Sequence, residues 1–163
     1  MKKSIVSKLA VVCLTAVVAI GGVSAPASAK SKGYVFKYKG ISVTMNGTAK
    51  KLIKKAGKPS KKTVKKSCAY KGKDRTYTYK DFQLKTYSKT NNGAEYVSEI
   101  RFRSNKAVTK EGIRIGSSLK DVTKKYGKAK ARFGVYTFKK GSSKLQIMLN
   151  GNKVSAIRYF ASK

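Results

Sequence analysis

The hexapeptide Val97-Ser98-Glu99-Ile100-Arg101-Phe102 is nearly rewritten further along the chain as Val154-Ser155-Ala156-Ile157-Arg158-Tyr159. The match spreads outward in order. Tyr77-Thr78-Tyr79-Lys80 answers Tyr136-Thr137-Phe138-Lys139, and Phe82-Gln83-Leu84 answers Leu145-Gln146-Ile147. Upstream, Gly40-Ile41 and Gly57 answer Gly112-Ile113 and Gly127. Matching segments in one order, with only the intervening lengths changing, are what two copies of one unit with different loops produce. The expected fold class is therefore α+β: two tandem repeats, each a short helix followed by an antiparallel three-stranded meander, with the helices packed on one face of the sheet. The N-terminal strands and first repeat are expected over 30–106, and the second repeat over 107–163.

Local patterns fill in the units. Tyr34, Phe36 and Tyr38 alternate with Val35, Lys37 and Lys39, Gly40 breaks the run, and Ile41, Val43 and Met45 resume it, which predicts two strands. Ala49, Leu52, Ile53 and Ala56 form one apolar stripe, predicting a helix over 48–56 with Thr48 as N-cap and Gly57 and Pro59 as its stop. The lysine-rich segment 60–66 is expected as a solvated connection. Strands follow around Tyr77 and Tyr79, around Phe82 and Leu84, and over 95–103. Strict alternation there places Tyr96, Ser98, Ile100 and Phe102 on one face, and Val97, Glu99, Arg101 and Arg103 on the other. In the second unit, Ser118 and Asp121 read as a capping box ahead of the stripe Leu119, Val122, Tyr126. Strands are predicted near 133–139, 144–149 and 153–160, the last two joined by an Asn150-Gly151 turn.

The start of the chain carries an address. Lys2, Lys3 and Lys8 precede an uncharged run over 9–23, and Ala27-Ser28-Ala29 offers a small-residue cleavage site, so 1–29 reads as a secretory signal peptide. Its run is shorter than the roughly 20 residues of a spanning helix, and no membrane span is expected after cleavage. Cys68 is then the one remaining cysteine, so no internal disulfide framework is available. A buried small hydrophobe is the expectation for it, with an intermolecular disulfide or a reactive thiol as alternatives. Export without disulfides points to a secreted, wall-associated protein of a Gram-positive cell.

Charge narrows the partners. The formal net charge is +33, and removal of Lys2, Lys3 and Lys8 with the signal leaves +30. Only Asp74, Asp81, Glu95, Glu99, Glu111 and Asp121 oppose it. Such a field draws polyanions from within about a Debye length, roughly 8–10 Å near physiological salt. With 39 basic residues, six of them arginines, most of the charge sits on hydrated ammonium groups rather than planar forks. Catalytic equipment is sparse. There is no histidine, the carboxylates are scattered, and Gly112 to Ser118 lacks the spacing and lysine of a phosphate loop. No catalytic residue, metal or cofactor is expected.

The duplicated helix-plus-meander plan resembles the β-lactamase inhibitory protein and related BamE-like modules. The segment Ser67-Cys68-Ala69-Tyr70-Lys71-Gly72-Lys73-Asp74-Arg75-Thr76-Tyr77-Thr78-Tyr79, with Glu111-Gly112-Ile113-Arg114-Ile115-Gly116-Ser117-Ser118, is similar to a family of exported clostridial proteins. The resemblance implies helices over one sheet face and a concave opposite face open to protein contact, and it implies no activity. This chain departs from that family in being strongly basic.

If Tyr77, Tyr79, Leu84, Ile100, Phe102, Tyr136, Phe138, Ile147, Ile157 and Tyr159 point at the helices, alternation assigns the opposite face to Lys80, Lys85, Tyr87, Arg101, Arg103, Lys139, Met148, Arg158 and Phe160. Cations interleaved with aromatic and soft groups suit an anionic, partly apolar partner. The expected function is a non-catalytic basic binding module at the anionic cell surface, taking a cell-wall polymer or an acidic protein. Inhibition of an extracellular enzyme of β-lactamase or wall-hydrolase type, and non-specific extracellular nucleic-acid binding, are the alternatives.

Overall fold

A computed structural model describes residues 33–162; the expected signal peptide lies outside the described residues. No helix among the described residues is long and apolar enough to cross a membrane. Two strands, β1 (Val35–Tyr38) and β2 (Ile41–Thr44), pair as a hairpin, followed by helix α1 (Lys50–Ala56). Then come β3 (Lys61–Lys66), β4 (Lys73–Thr78), β5 (Phe82–Ser88) and β6 (Glu95–Phe102). Helix α2 (Leu119–Tyr126) precedes β7 (Val135–Lys140), β8 (Ser143–Asn150) and β9 (Lys153–Ala161).

The expected pair of helix-plus-three-strand units is not what forms. Strands β3 to β9 make one seven-stranded antiparallel sheet in the order β3-β4-β5-β6-β9-β8-β7, with β1 and β2 as a separate two-stranded sheet. The molecule is mostly antiparallel β, and its two helices span only seven and eight residues. Two physical facts produce the difference. The lysine-rich connection is itself a strand, because β4 supplies hydrogen-bonding partners along all of β3 whatever its side chains. The two hexapeptide strands, β6 and β9, pair with each other and so fuse what would be two meanders.

Every residue of β3 is exposed. A lysine-rich edge strand discourages pairing with another chain, and Lys62 Nζ also lies 5.3 Å from the Tyr77 ring centroid.

One face of the sheet is covered by the β1–β2 hairpin and the two helices. Phe36 is fully buried there, its ring within 5.2 Å of Phe82, 5.6 Å of Phe102 and 6.5 Å of Tyr159. Leu52 from α1 and Val122 from α2 join the same core, as do Leu84, Ile100, Leu145, Ile147 and Ile157. Fully burying such side chains stabilises by about 1.5–3 kcal/mol each.

The repeated hexapeptide has a shared local geometry. Lys85 pairs with Glu99 but Thr86 pairs with Val97, so Ser98 is an extra residue in β6. Met148 pairs with Ala156 but Leu149 with Val154, so Ser155 is the extra residue in β9. A bulge of this kind resets the alternation. Val97 and Ile100 therefore both point into the core, as do Val154 and Ile157. The expected placement of Val97 beside Glu99 and Arg101 fails for this reason.

Helix ends divide likewise. The capping box at α2 forms as expected, with Ser118 Oγ accepting from Asp121 N at 3.1 Å and Asp121 Oδ2 accepting from Ser118 N at 3.2 Å. At α1 the N-cap is Ala49, without a side-chain acceptor, while Thr48 forms a bridge with Tyr96. The β8–β9 loop is Gly151-Asn152, one residue later than expected, since Asn150 pairs with Lys153 and Gly151 takes the positive φ.

Candidate functional site: the uncovered sheet face

The sheet's second face carries no core layer from the described residues. Alternation from the buried positions assigns to it Thr76 and Thr78 of β4, Gln83, Lys85 and Tyr87 of β5, Glu99 and Arg101 of β6, and Ala156, Arg158 and Phe160 of β9. Lys144, Gln146 and Met148 of β8 and Lys139 of β7 complete it. Of the nine residues predicted for this face, Lys85, Tyr87, Arg101, Lys139, Met148, Arg158 and Phe160 are on it. Lys80 and Arg103 are not on its strands. Lys80 sits in the β4–β5 turn, and Arg103 follows β6, where its Nη1 donates to the Tyr79 carbonyl at 2.9 Å and its backbone N–H to that of Asp81.

At the centre of the face three cations surround one carboxylate. Lys85 Nζ lies 3.3 Å from Glu99 Oε2, Arg101 Nη2 lies 3.6 Å from Oε1, and Arg158 Nε lies 3.9 Å from Oε2. One negative charge is shared among three positive ones. Arg158 Nε and Glu99 Oε1 are buried without a hydrogen-bond partner among the described residues, so the cluster retains one donor and one acceptor unused. The Arg158 guanidinium also lies 4.6 Å from the Phe160 ring centroid, with Lys144 Nζ 5.9 Å from the same ring. Arg101, Gln146, Met148, Ala156, Ile157 and Arg158 line a shallow depression of about 130 Å³. The arrangement sets cationic donors beside an aromatic ring and a thioether.

Beside the cluster, Tyr70 stacks on Tyr87 at 5.1 Å and Tyr87 packs against Tyr96 at 5.5 Å. Burial, with smaller contributions from the Tyr70 and Tyr96 phenols, raises the Tyr87 pKa, so the phenol remains neutral through ordinary pH. A cleft of about 480 Å³ opens between this stack, Asp74, Thr76 and Lys85. Sequence reasoning placed Tyr87 in the site but left out Glu99 and the two tyrosines packed on Tyr87, Tyr70 and Tyr96. The available signal was Glu99 itself, which replaces Ala156 as one of only two changes between the hexapeptides.

The core side holds the polar group most fully answered. Glu95 accepts from Tyr77 Oη at 2.9 Å and Thr86 Oγ1 at 2.7 Å, and pairs with Arg75 Nε at 3.4 Å. Burial and the neighbouring Glu95 carboxylate push the Tyr77 phenol far above its ordinary value. With its oxygens so occupied, Glu95 is a structural anchor for the start of β6. Cys68 is free and exposed rather than a buried hydrophobe, because it sits in the 67–72 loop outside the sheet.

No family model matches this chain, and neither a curated protein nor a solved structure matches it.

Proposed function

We propose that this chain is an exported, non-catalytic, strongly basic binding module, held at an anionic cell surface, that takes a wall polymer on the uncovered face of its sheet. The observation that supports this most is the triad Lys85, Arg101 and Arg158 around the single carboxylate of Glu99, on a face that no other element among the described residues covers. Elsewhere most of the positive charge is carried by exposed lysines. Here it is fixed by sheet register, and two of the three cations are guanidinium groups able to grip phosphate or carboxylate with paired hydrogen bonds. The overall charge supplies long-range attraction, and the face supplies the place of contact.

The test compares binding to isolated teichoic-acid-rich wall across a salt series. The variants are Arg101→Gln/Arg158→Gln and, as a charge-matched control, Lys51→Gln/Lys55→Gln on the exposed side of α1. The expected result is affinity that falls steeply with salt and a face variant weakened about tenfold more than the control. Equal losses in both variants, or wall and duplex DNA bound alike by all three proteins, would reduce the chain to a generic polycation. A salt-independent interaction with an extracellular enzyme, unaffected by the face variant, would favour the inhibitor reading instead.

A further inference from the structure

Arg132-Phe133-Gly134-Val135 closes into a two-residue turn ahead of β7, with Arg132 N–H donating to the Val135 carbonyl and Val135 N–H to the Arg132 carbonyl, both at 3.0 Å. Both central residues have positive φ, +50° at Phe133 and +73° at Gly134. That is the arrangement for which Asn-Gly or Gly-Gly is the ordinary choice, and a bulky side chain in the left-handed region is a true outlier. The other non-glycine residues with positive φ among the described residues are Lys39 and Asn46, both polar. Phe133 is 99% exposed, against 43–49% for the other large exposed hydrophobics. The fold thus holds its most exposed apolar side chain in a conformation that side chain disfavours. No packing among the described residues repays it.

The approach to this turn is basic. Lys128, Lys130 and Arg132 are all exposed, and no acidic residue lies between Asp121 and the end of the chain. An aromatic side chain at a turn tip, preceded by a short run of cations, combines the two signals that hold a protein at an anionic bilayer. The ring enters the headgroup boundary, and the ammonium and guanidinium groups stay with the phosphates. We propose that the Phe133 turn inserts into the interface of an anionic phospholipid membrane, a contact separate from the Lys85–Arg101–Arg158 face.

The chain contains no tryptophan, so Phe133→Trp introduces a single reporter. The expected result is a blue-shifted emission with phosphatidylglycerol vesicles and none with phosphatidylcholine vesicles. Phe133→Asn supplies the second arm. Asparagine suits positive φ, so this variant should melt no lower than wild type while partitioning onto phosphatidylglycerol vesicles about tenfold less. Its binding to isolated wall should be unchanged, which separates this proposal from the one above. Equal partitioning of wild type and Phe133→Asn, or a tryptophan emission unmoved by anionic vesicles, would overturn the membrane contact. A lower melting temperature for Phe133→Asn would also overturn it, by showing that Phe133 serves the fold.

Discussion

Arg101 and Arg158 stand directly opposite one another in the β6–β9 register, at the middle of the uncovered sheet face. Each comes from its own copy of the hexapeptide, and each flanks Glu99. Like charges directly opposite on paired strands oppose folding. The pair is therefore tolerated at a cost that Glu99 offsets only in part, as expected where binding rather than stability set the residues.

Replacing one of the pair should separate those two interests. Arg101→Thr removes the like-charge contact and puts a good strand former in its place. It is expected to leave stability unchanged or raise it by up to about 1 kcal/mol. Affinity for anionic polymer should fall. Chemical denaturation beside a binding isotherm checks both halves, and a variant that loses stability would assign Arg101 to the fold.

Each of the two central strands carries one bulge, against its outer neighbour. Deleting Ser155 removes the extra residue of β9 and leaves Val154 and Ile157 two positions apart, both inward by plain alternation, so the core is kept and only the local bend and twist of the bulge are lost. The cost should therefore stay below that of emptying a large core site, about 2–5 kcal/mol. Ser155→Ala keeps the count and loses only the 3.2 Å bond from Ser155 Oγ to the Met148 carbonyl, so it should cost about 1 kcal/mol or less. Urea titration of both variants checks the difference. A deletion loss as large as that of an emptied core site would mean that the fold depends on the extra residue itself.

These bulges also mark where the sequence stops being legible. The repeated Val-Ser-x-Ile-Arg pattern singled out the two central strands, but simple alternation sent Val97 to the wrong face, since an inserted residue leaves no mark in composition. The apolar periodicity of β4, β5 and β7 to β9 gave their inward faces correctly, because each strand must bury one side against the same core. Strand β3 was hidden. Lys61–Lys66 has a single apolar residue, and its partner is chosen by β4 through backbone groups. Arg101 and Arg158 were readable as face residues, whereas Lys80 and Arg103 were carried along by parity beyond the strand ends. That the two meanders merge at β6–β9 depends on tertiary pairing, which no local pattern encodes.

Gly72 is a steric test of the tyrosine stack. A Cβ there would clash with the Ser88 carbonyl oxygen, a backbone atom that cannot step aside. Gly72→Ala should displace the 67–72 loop at about 1–3 kcal/mol and take Tyr70 off Tyr87. Near-ultraviolet circular dichroism of the tyrosines, with thermal melting, checks this. An unchanged spectrum and melting point would mean the loop does not depend on that close approach.

The α2 cap links stability to pH. Hydrogen bonds from Ser118, side chain first and backbone second, hold the Asp121 carboxyl below its ordinary value, with Lys153 and Lys124 assisting. A lowered native pKa contributes stability that is full above the unfolded value and lost as pH falls through the native one. Ser118→Ala should cost about 1 kcal/mol at neutral pH. It should also shrink the stability lost on acidification below the ordinary aspartate range. Denaturation midpoints at several acidic pH values check the slope; an unaltered slope would remove Asp121 from the cap.

The proposed polyanion contact is open to the most direct measurement, an amide NMR titration with soluble poly(glycerol phosphate) at physiological salt. The largest shifts are expected at Lys85, Glu99, Arg101, Arg158 and Phe160, with Lys51 and Lys55 of α1 nearly still. Shifts spread evenly over every lysine-bearing segment, or centred on α1 and β3, would contradict a dedicated site on the uncovered face.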